Sequence, residues 1–164
     1  MRIARALVLV ALFVAAVIIG YRLLAPKPRP ATVAVYYTEP DGTTLASWNV
    51  SLGPERDPKS VAFYAAAQAV AGPPPAIEAI RFPAGTLVRG VSLAGATATV
   101  NLGGALERPT AGSFAENGEF KALVWTLTGI EPIKKVQVEL DGARVPTLPG
   151  GHLELDEPLD RTSW

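Results

Sequence analysis

No cysteine occurs in the 164 residues, which excludes a disulfide framework, a thiolate nucleophile, a thiolate metal site and the acylated cysteine of a lipoprotein. Histidine occurs once, at His152, so a paired-histidine metal motif is excluded as well. A Ser-His-Asp set would have to gather around that one imidazole, with Ser92 or Ser113 and Asp141 or Asp156 brought to it by the fold. The chain has no Gly-x-Ser-x-Gly elbow and no Gly-x-x-x-x-Gly-Lys phosphate loop. We therefore read His152 as a structural, turn-side residue and assign no catalytic residue. Paired carboxylates about 5 to 9.5 Å apart serve glycoside hydrolysis, but with 15 acidic residues such pairs are unavoidable and carry no signal.

An excess of positive charge is also missing where it would matter. Arg2, Arg5, Arg22, Lys27 and Arg29 precede residue 31, and the remaining 10 basic residues face all 15 acidic ones, a net charge of −5 for the body. That argues against a nucleic-acid-binding surface. The acidic tail Glu154, Asp156, Glu157 and Asp160 supplies the oxygen ligands that a hard cation such as calcium wants, yet it lacks the twelve-residue loop geometry. It reads as a solvated rim, and no metal or cofactor is expected.

Residues 6–21, ALVLVALFVAAVIIGY, carry no charge, and Leu23 to Ala25 extend the apolar run once Arg22 snorkels to the interface. About 20 helical residues reach about 30 Å, the thickness of a hydrocarbon core. Residues 1–25 are thus expected to form a transmembrane anchor or uncleaved signal, with Arg2 and Arg5 holding the N-terminus in the cytoplasm. A cleaved signal peptide is the competing reading, but bulky residues stand where a small-x-small cleavage site would lie. Either way the body lies outside the cytoplasmic membrane. Residues 26–31, opening with PKPRP, form a Pro-rich spacer, and residues 32–164 form the domain.

Within the body, TVAVYY at 32–37 and TTLASWNVSL at 43–52 flank the turn EPDG and read as paired strands. Asp57 and Pro58 suit the N-cap and first turn of a helix over 59–71 that Gly72 and three prolines stop. TLVRGVSL and ATATVNL flank Ala94-Gly95 in the manner of a hairpin, with Leu87, Val91 and Leu93 on one face of the first strand and Val100 and Leu102 on one face of the second. Ser113 and Glu116 have the capping-box spacing. Phe120, Leu123, Val124 and Leu127 fall on one helical face, and Gly129 suits the cap at the helix end. In LVWTLTGIEPIKKVQVELDG, Thr126 and Thr128 sit in the last helical turn, where a hydroxyl bonds back to a carbonyl. Val136, Val138 and Leu140 then alternate with Lys135, Gln137 and Glu139 in a closing strand. The order implies an α+β fold, a small, largely antiparallel sheet with two helices packed on one face, preceded by one transmembrane helix.

These segments, taken in order, resemble a GerMN domain, the module of spore germination and sporulation proteins, over residues 33–161. VYYTEPDGTTL is similar to its opening strand and turn, AQAVAGPPP to its helix end, and FPAGTLVRGVSLAGATATVNLG to its central hairpin. LVWTLTGIEPIKKVQVELDG is similar to its Trp-Thr-Leu-Thr helix end and following strand, and GGHLELDEPLDR to its tail. The resemblance implies a non-enzymatic, membrane-anchored, extracytoplasmic interaction or scaffold module of the cell envelope. Its implied partners are an envelope protein or further copies of itself, and the alternative is a peptidoglycan- or glycan-binding accessory domain. The chain differs from the sporulation examples in showing one such domain, not two, and no lipid-attachment cysteine.

Trp125 lies off the apolar face of its helix, and Trp48 stands in a strand of mixed polarity. An exposed Trp is a favoured interface anchor, so both are candidate contact residues. The alternative for each is packing at the edge of the core.

Overall fold

The computed structural model describes residues 31–53, 57–108 and 112–164, together with Val14. The chain divides between Pro30 and Ala31, and Ala31–Trp164 form one unit. Apart from Val14, the expected anchor at residues 1–25 and most of the spacer lie outside the described residues, among which no helix is long and apolar enough to cross a membrane.

Strands β1 (Thr32–Thr38) and β2 (Leu45–Ser51) form an antiparallel hairpin. Asp41 builds its turn: Oδ1 accepts the Thr43 and Thr44 backbone N–H groups at 2.8 and 2.9 Å, and Oδ2 accepts the Thr44 hydroxyl at 2.6 Å. These donors favour the ionised carboxylate and hold the Asp41 carboxyl well below the usual range. Helix α1 (Pro58–Ala71) begins as its residues dictate, with Asp57 Oδ2 accepting the Ser60 N–H at 3.0 Å and Pro58 in the first turn. Four alanines, Ala62, Ala65, Ala66 and Ala69, line its buried face and let it sit close to its neighbours.

Strands β3 (Thr86–Ala94) and β4 (Thr97–Gly104) pair antiparallel, turning at Gly95-Ala96. The expected alternation of β3 holds only in part. Val91 is buried, but Leu87 is 53% exposed, because a bulge at Arg89 puts one extra residue between the Val88–Leu102 and Gly90–Asn101 pairs. One extra residue reverses which face every residue before it presents. A short 3₁₀ turn (Ala105–Glu107) leads towards helix α2 (Ser113–Leu127), and β5 (Lys135–Leu140) and β6 (Ala143–Arg144) close the order. Asp141 and Gly142, with φ of 50° and 81°, make the tight turn between β5 and β6, a geometry that favours Asp-Gly.

The expected single, largely antiparallel sheet is corrected to two sheets, the β1-β2 pair and a mixed sheet in the order β3-β4-β5-β6. β5 runs parallel to β4 because α2 lies between them in the chain and returns it to the starting end, as a parallel pair requires. The helices pack on each other, α1 also on β1 and β3, and α2 on β1 and β5. Val35, Val100, Leu102, Phe120, Leu123, Val124, Leu127 and Val136 are fully buried at the centre.

Nor is β5 open on its polar side. Gln137 is fully buried, its Nε2 donating to the Leu155 carbonyl at 2.8 Å and to that of Val138 at 3.1 Å. The chain after β6 folds back over this side, with Leu148 and Leu155 buried and Leu159 bridged to Val136. We call residues 148–164 the C-terminal strap.

Candidate functional site

Helix α2 is the hub to which the strap and β1 attach. Thr126 Oγ1 donates to the Ala122 carbonyl at 2.8 Å, and Thr128 Oγ1 donates to that of Val124 at 2.7 Å, the back-bonding expected of them. Each hydroxyl also reaches outside the helix. Thr126 Oγ1 accepts the Tyr36 N–H of β1 at 2.9 Å, and Thr128 Oγ1 accepts Arg161 Nε of the strap at 2.8 Å. Arg161 Nη2 donates to the Trp125 carbonyl at 3.3 Å, placing a cation at the negative end of the helix. Gly129 plays no left-handed capping role: Thr128 ends the helix with φ −73°, and tight turns through Ile130 follow.

At the other end of α2 the expected capping box is absent. Ser113 is the first helical residue, with Gly112 before it, so its hydroxyl is not placed to cap. Glu116 turns inward instead, and its Oε2 accepts the backbone N–H groups of His152 and Leu153 at 2.8 and 3.4 Å. A Cβ on Gly151 would run into the Glu116 carboxylate, so only glycine lets the strap approach this closely. One turn on, Glu119 is also buried. Burial, with the Glu116 charge beside it, pushes the Glu119 carboxyl up to about 8.

His152 thus takes part through its backbone, as a turn-side residue. Its side chain is exposed and lines an open groove of about 410 Å³ with Asn117, Glu154, Asp156, Glu157 and Ser163. Of the candidates for a hydrolytic triad, Asp156 shares this groove with His152. Asp141 is engaged by Arg89 Nε at 3.1 Å, and Ser92 is an exposed strand residue paired with Thr99. Among the described residues no three His, Asp or Glu side chains are grouped to hold a metal ion.

The two tryptophans have different surroundings. Trp125 packs partly buried against the core, with Lys121 Nζ 5.8 Å and Arg161 Cζ 5.7 Å from its ring centre. Both cations are anchored, Lys121 Nζ to the Thr43 carbonyl at 2.8 Å and Arg161 as above, so the indole belongs to the joint between α2, the first hairpin and the strap. Trp48 is 47% exposed and stands in mid-strand on β2. Phe63 and Tyr64 of α1 and Phe114 of α2 are further exposed apolar residues that the sequence pattern did not mark, and Leu87 of β3, expected on a face with Val91, is exposed as well. The buried Glu116–Glu119 pair was equally hidden, since a charged residue on a helix is expected to face water.

A family model described as Germane, sporulation and spore germination, matches residues 34–146, more than half of the chain. Among solved structures, the fold is similar to that of the first GerMN domain of the sporulation protein GerM from Bacillus subtilis. The TM-score is 0.64 at 22% identity, covering 80% of this chain and 98% of that one. It is similar to a putative lipoprotein from Clostridium perfringens, with a TM-score of 0.56 at 17% identity, covering 81% of this chain and 89% of that one. The tandem GerMN domains of GerM match with a TM-score of 0.58 at 20% identity, covering 81% of this chain and 47% of that one, which is about half of the tandem. No curated protein matches the sequence.

Proposed function

Since the chain belongs to the Germane family of sporulation and spore germination domains, we propose that it is a non-enzymatic interaction module of the cell envelope, held at the cytoplasmic membrane by residues 1–25 with its domain outside. Its partner is an envelope protein or a further copy of itself. The observation that carries this reading is the exposed, mid-strand Trp48 on an uncharged edge strand. An aromatic anchor of low conformational freedom is what protein interfaces favour. The apolar run at 6–21 and the likeness in fold to a putative lipoprotein support a place in the envelope. Confinement to a membrane raises the effective concentration of such a module without any new contact.

Crosslinking in the native membrane, followed by mass spectrometry of the captured species, tests the proposal. Recovery of a specific envelope protein or of self-crosslinked multimers is expected. Recovery of glycan strands alone would overturn it and favour the wall-binding alternative.

A further inference from the structure

The outer strands of the four-stranded sheet are guarded against further pairing. β3 carries the bulge at Arg89, whose guanidinium is tied to Glu107 at 2.6 Å and to Asp141 at 3.1 Å, and β6 is two residues long. Bulges, charges and short strands are the devices that keep an edge from recruiting another strand. β2 has none of them. Leu45–Ser51 contains neither charge nor proline, and it pairs with β1 over seven residues without a bulge.

The register shows which groups this edge presents. The Tyr36 N–H is bonded to Thr126 Oγ1, so it points away from β2, and Tyr36–Ser47 is a non-hydrogen-bonded pair. The bonds from Glu39 N to the Thr44 carbonyl and from Leu52 N to the Ala31 carbonyl have the same phase. Trp48 therefore exchanges its backbone bonds with Val35. The backbone N–H and C=O groups of Ser47 and Asn49 point away from β1, with no partner among the described residues. Opposed residues share a face, so Trp48 lies on the face of the fully buried Val35. With Ala46 and Val50, half-buried beside it, Trp48 carries that apolar row past the sheet edge into solvent.

We infer that β2 pairs antiparallel with β2 of a second copy of this chain, in the register that sets Trp48 opposite Trp48, joining the two hairpins into one four-stranded sheet. Charge does not oppose this occupant at the edge itself. The domains repel through their net charge of −5 each, but no charged side chain lies on Leu45–Ser51, so no like charges meet there. A charged foreign strand would find no countercharge on the same residues. The register is also self-complementary: Ala46 meets Val50, Ser47 meets Asn49, and the apolar row faces its own copy. Ser47 and Asn49 satisfy each other's outward backbone groups, while the Trp48 pair falls at a non-hydrogen-bonded position, where opposed side chains lie closest. The inference rests on the reading of the protein as an interaction module and gives that module one surface and one partner.

The absence of native cysteine makes the test clean, and the full chain in detergent is the material. At a non-hydrogen-bonded pair the Cα atoms stand about 4.5 Å apart, within the span of a disulfide. Mild oxidation is expected to link Trp48→Cys into a covalent dimer and to leave Phe114→Cys, exposed on α2, unlinked. In the cysteine-free chain, Asn49→Pro removes an N–H that serves only the pairing between copies, and the dissociation constant seen by sedimentation is expected to rise roughly tenfold or more. Trp48→Lys, which sets two ammonium groups opposite each other, is expected to give the same loss with the hairpin intact. An unmodified chain that stays monomeric would overturn the inference, as would equal crosslinking of Phe114→Cys or dimers that persist in both variants. Capture of a foreign envelope protein by a chain that is monomeric at β2 would leave the interaction-module reading standing and remove this pairing.

Discussion

Glu119 is a carboxyl with almost no access to water and a second carboxylate, Glu116, one helical turn away. In the unfolded chain it releases its proton near the ordinary value of 4.5, whereas in the folded protein it keeps the proton up to about 8. Between those values the unfolded state binds fewer protons, so stability falls as pH rises through the window and levels off above it. Glu119→Gln keeps the shape and removes the titration. Its thermal midpoint is expected to match the parent near pH 5 and to rise above it towards pH 8, by about 1–3 kcal/mol of stability. A difference between the two proteins that stays constant with pH would show that Glu119 ionises freely. The burial was not legible in the sequence, because Glu116 and Glu119 carry no mark that separates them from solvent-facing glutamates; the strap 36 residues further on meets the Glu116 carboxylate.

Among the elements, α2 shows how local and distant forces divide. Its apolar face was legible, since Phe120, Leu123, Val124 and Leu127 follow the helical period and are all fully buried. The role of Glu116 was not, because a capping box and an inward anchor require the same residue. Glu116→Ala would leave the His152 and Leu153 N–H groups without their acceptor, at a cost of about 1–3 kcal/mol. Faster amide exchange is expected over residues 148–164, with protection in α1 unchanged. Uniform loss of protection across the domain would show instead that the strap and the core unfold together. β3 and β5 teach the same lesson. Leu87 lies on the wrong side of a bulge, and Gln137 faces chain that comes much later, so neither period-2 pattern could report its true surroundings.

For the whole molecule, the two tryptophans separate a structural joint from an exposed edge. Trp125 joins α2 to the strap and, through Lys121, to the first hairpin, whereas Trp48 overhangs an edge. Trp125→Ala is expected to lower stability by about 2–4 kcal/mol, and Trp48→Ala by less than about 1 kcal/mol, both read from denaturant midpoints. Self-crosslinking in the membrane should follow the opposite order. Equal destabilisation by both substitutions would make Trp48 a core residue and remove it from the interface.

The sequence by itself determined the order of β1 to β5 and the two helices, the Asp57 and Pro58 start of α1, the Asp41 turn, and the back-bonding of Thr126 and Thr128. The cap, the turn and the back-bonds rest on contacts within about four residues, where side chain and backbone meet whatever the rest of the chain does, and the order of elements rests on local periodicity and turn residues. Only the tertiary structure decided that β5 lies parallel to β4, that Glu116 turns towards the strap, and that β2 is left with an open edge. Each depends on which distant segment arrives as a neighbour, and that choice is made by the packing of the whole core.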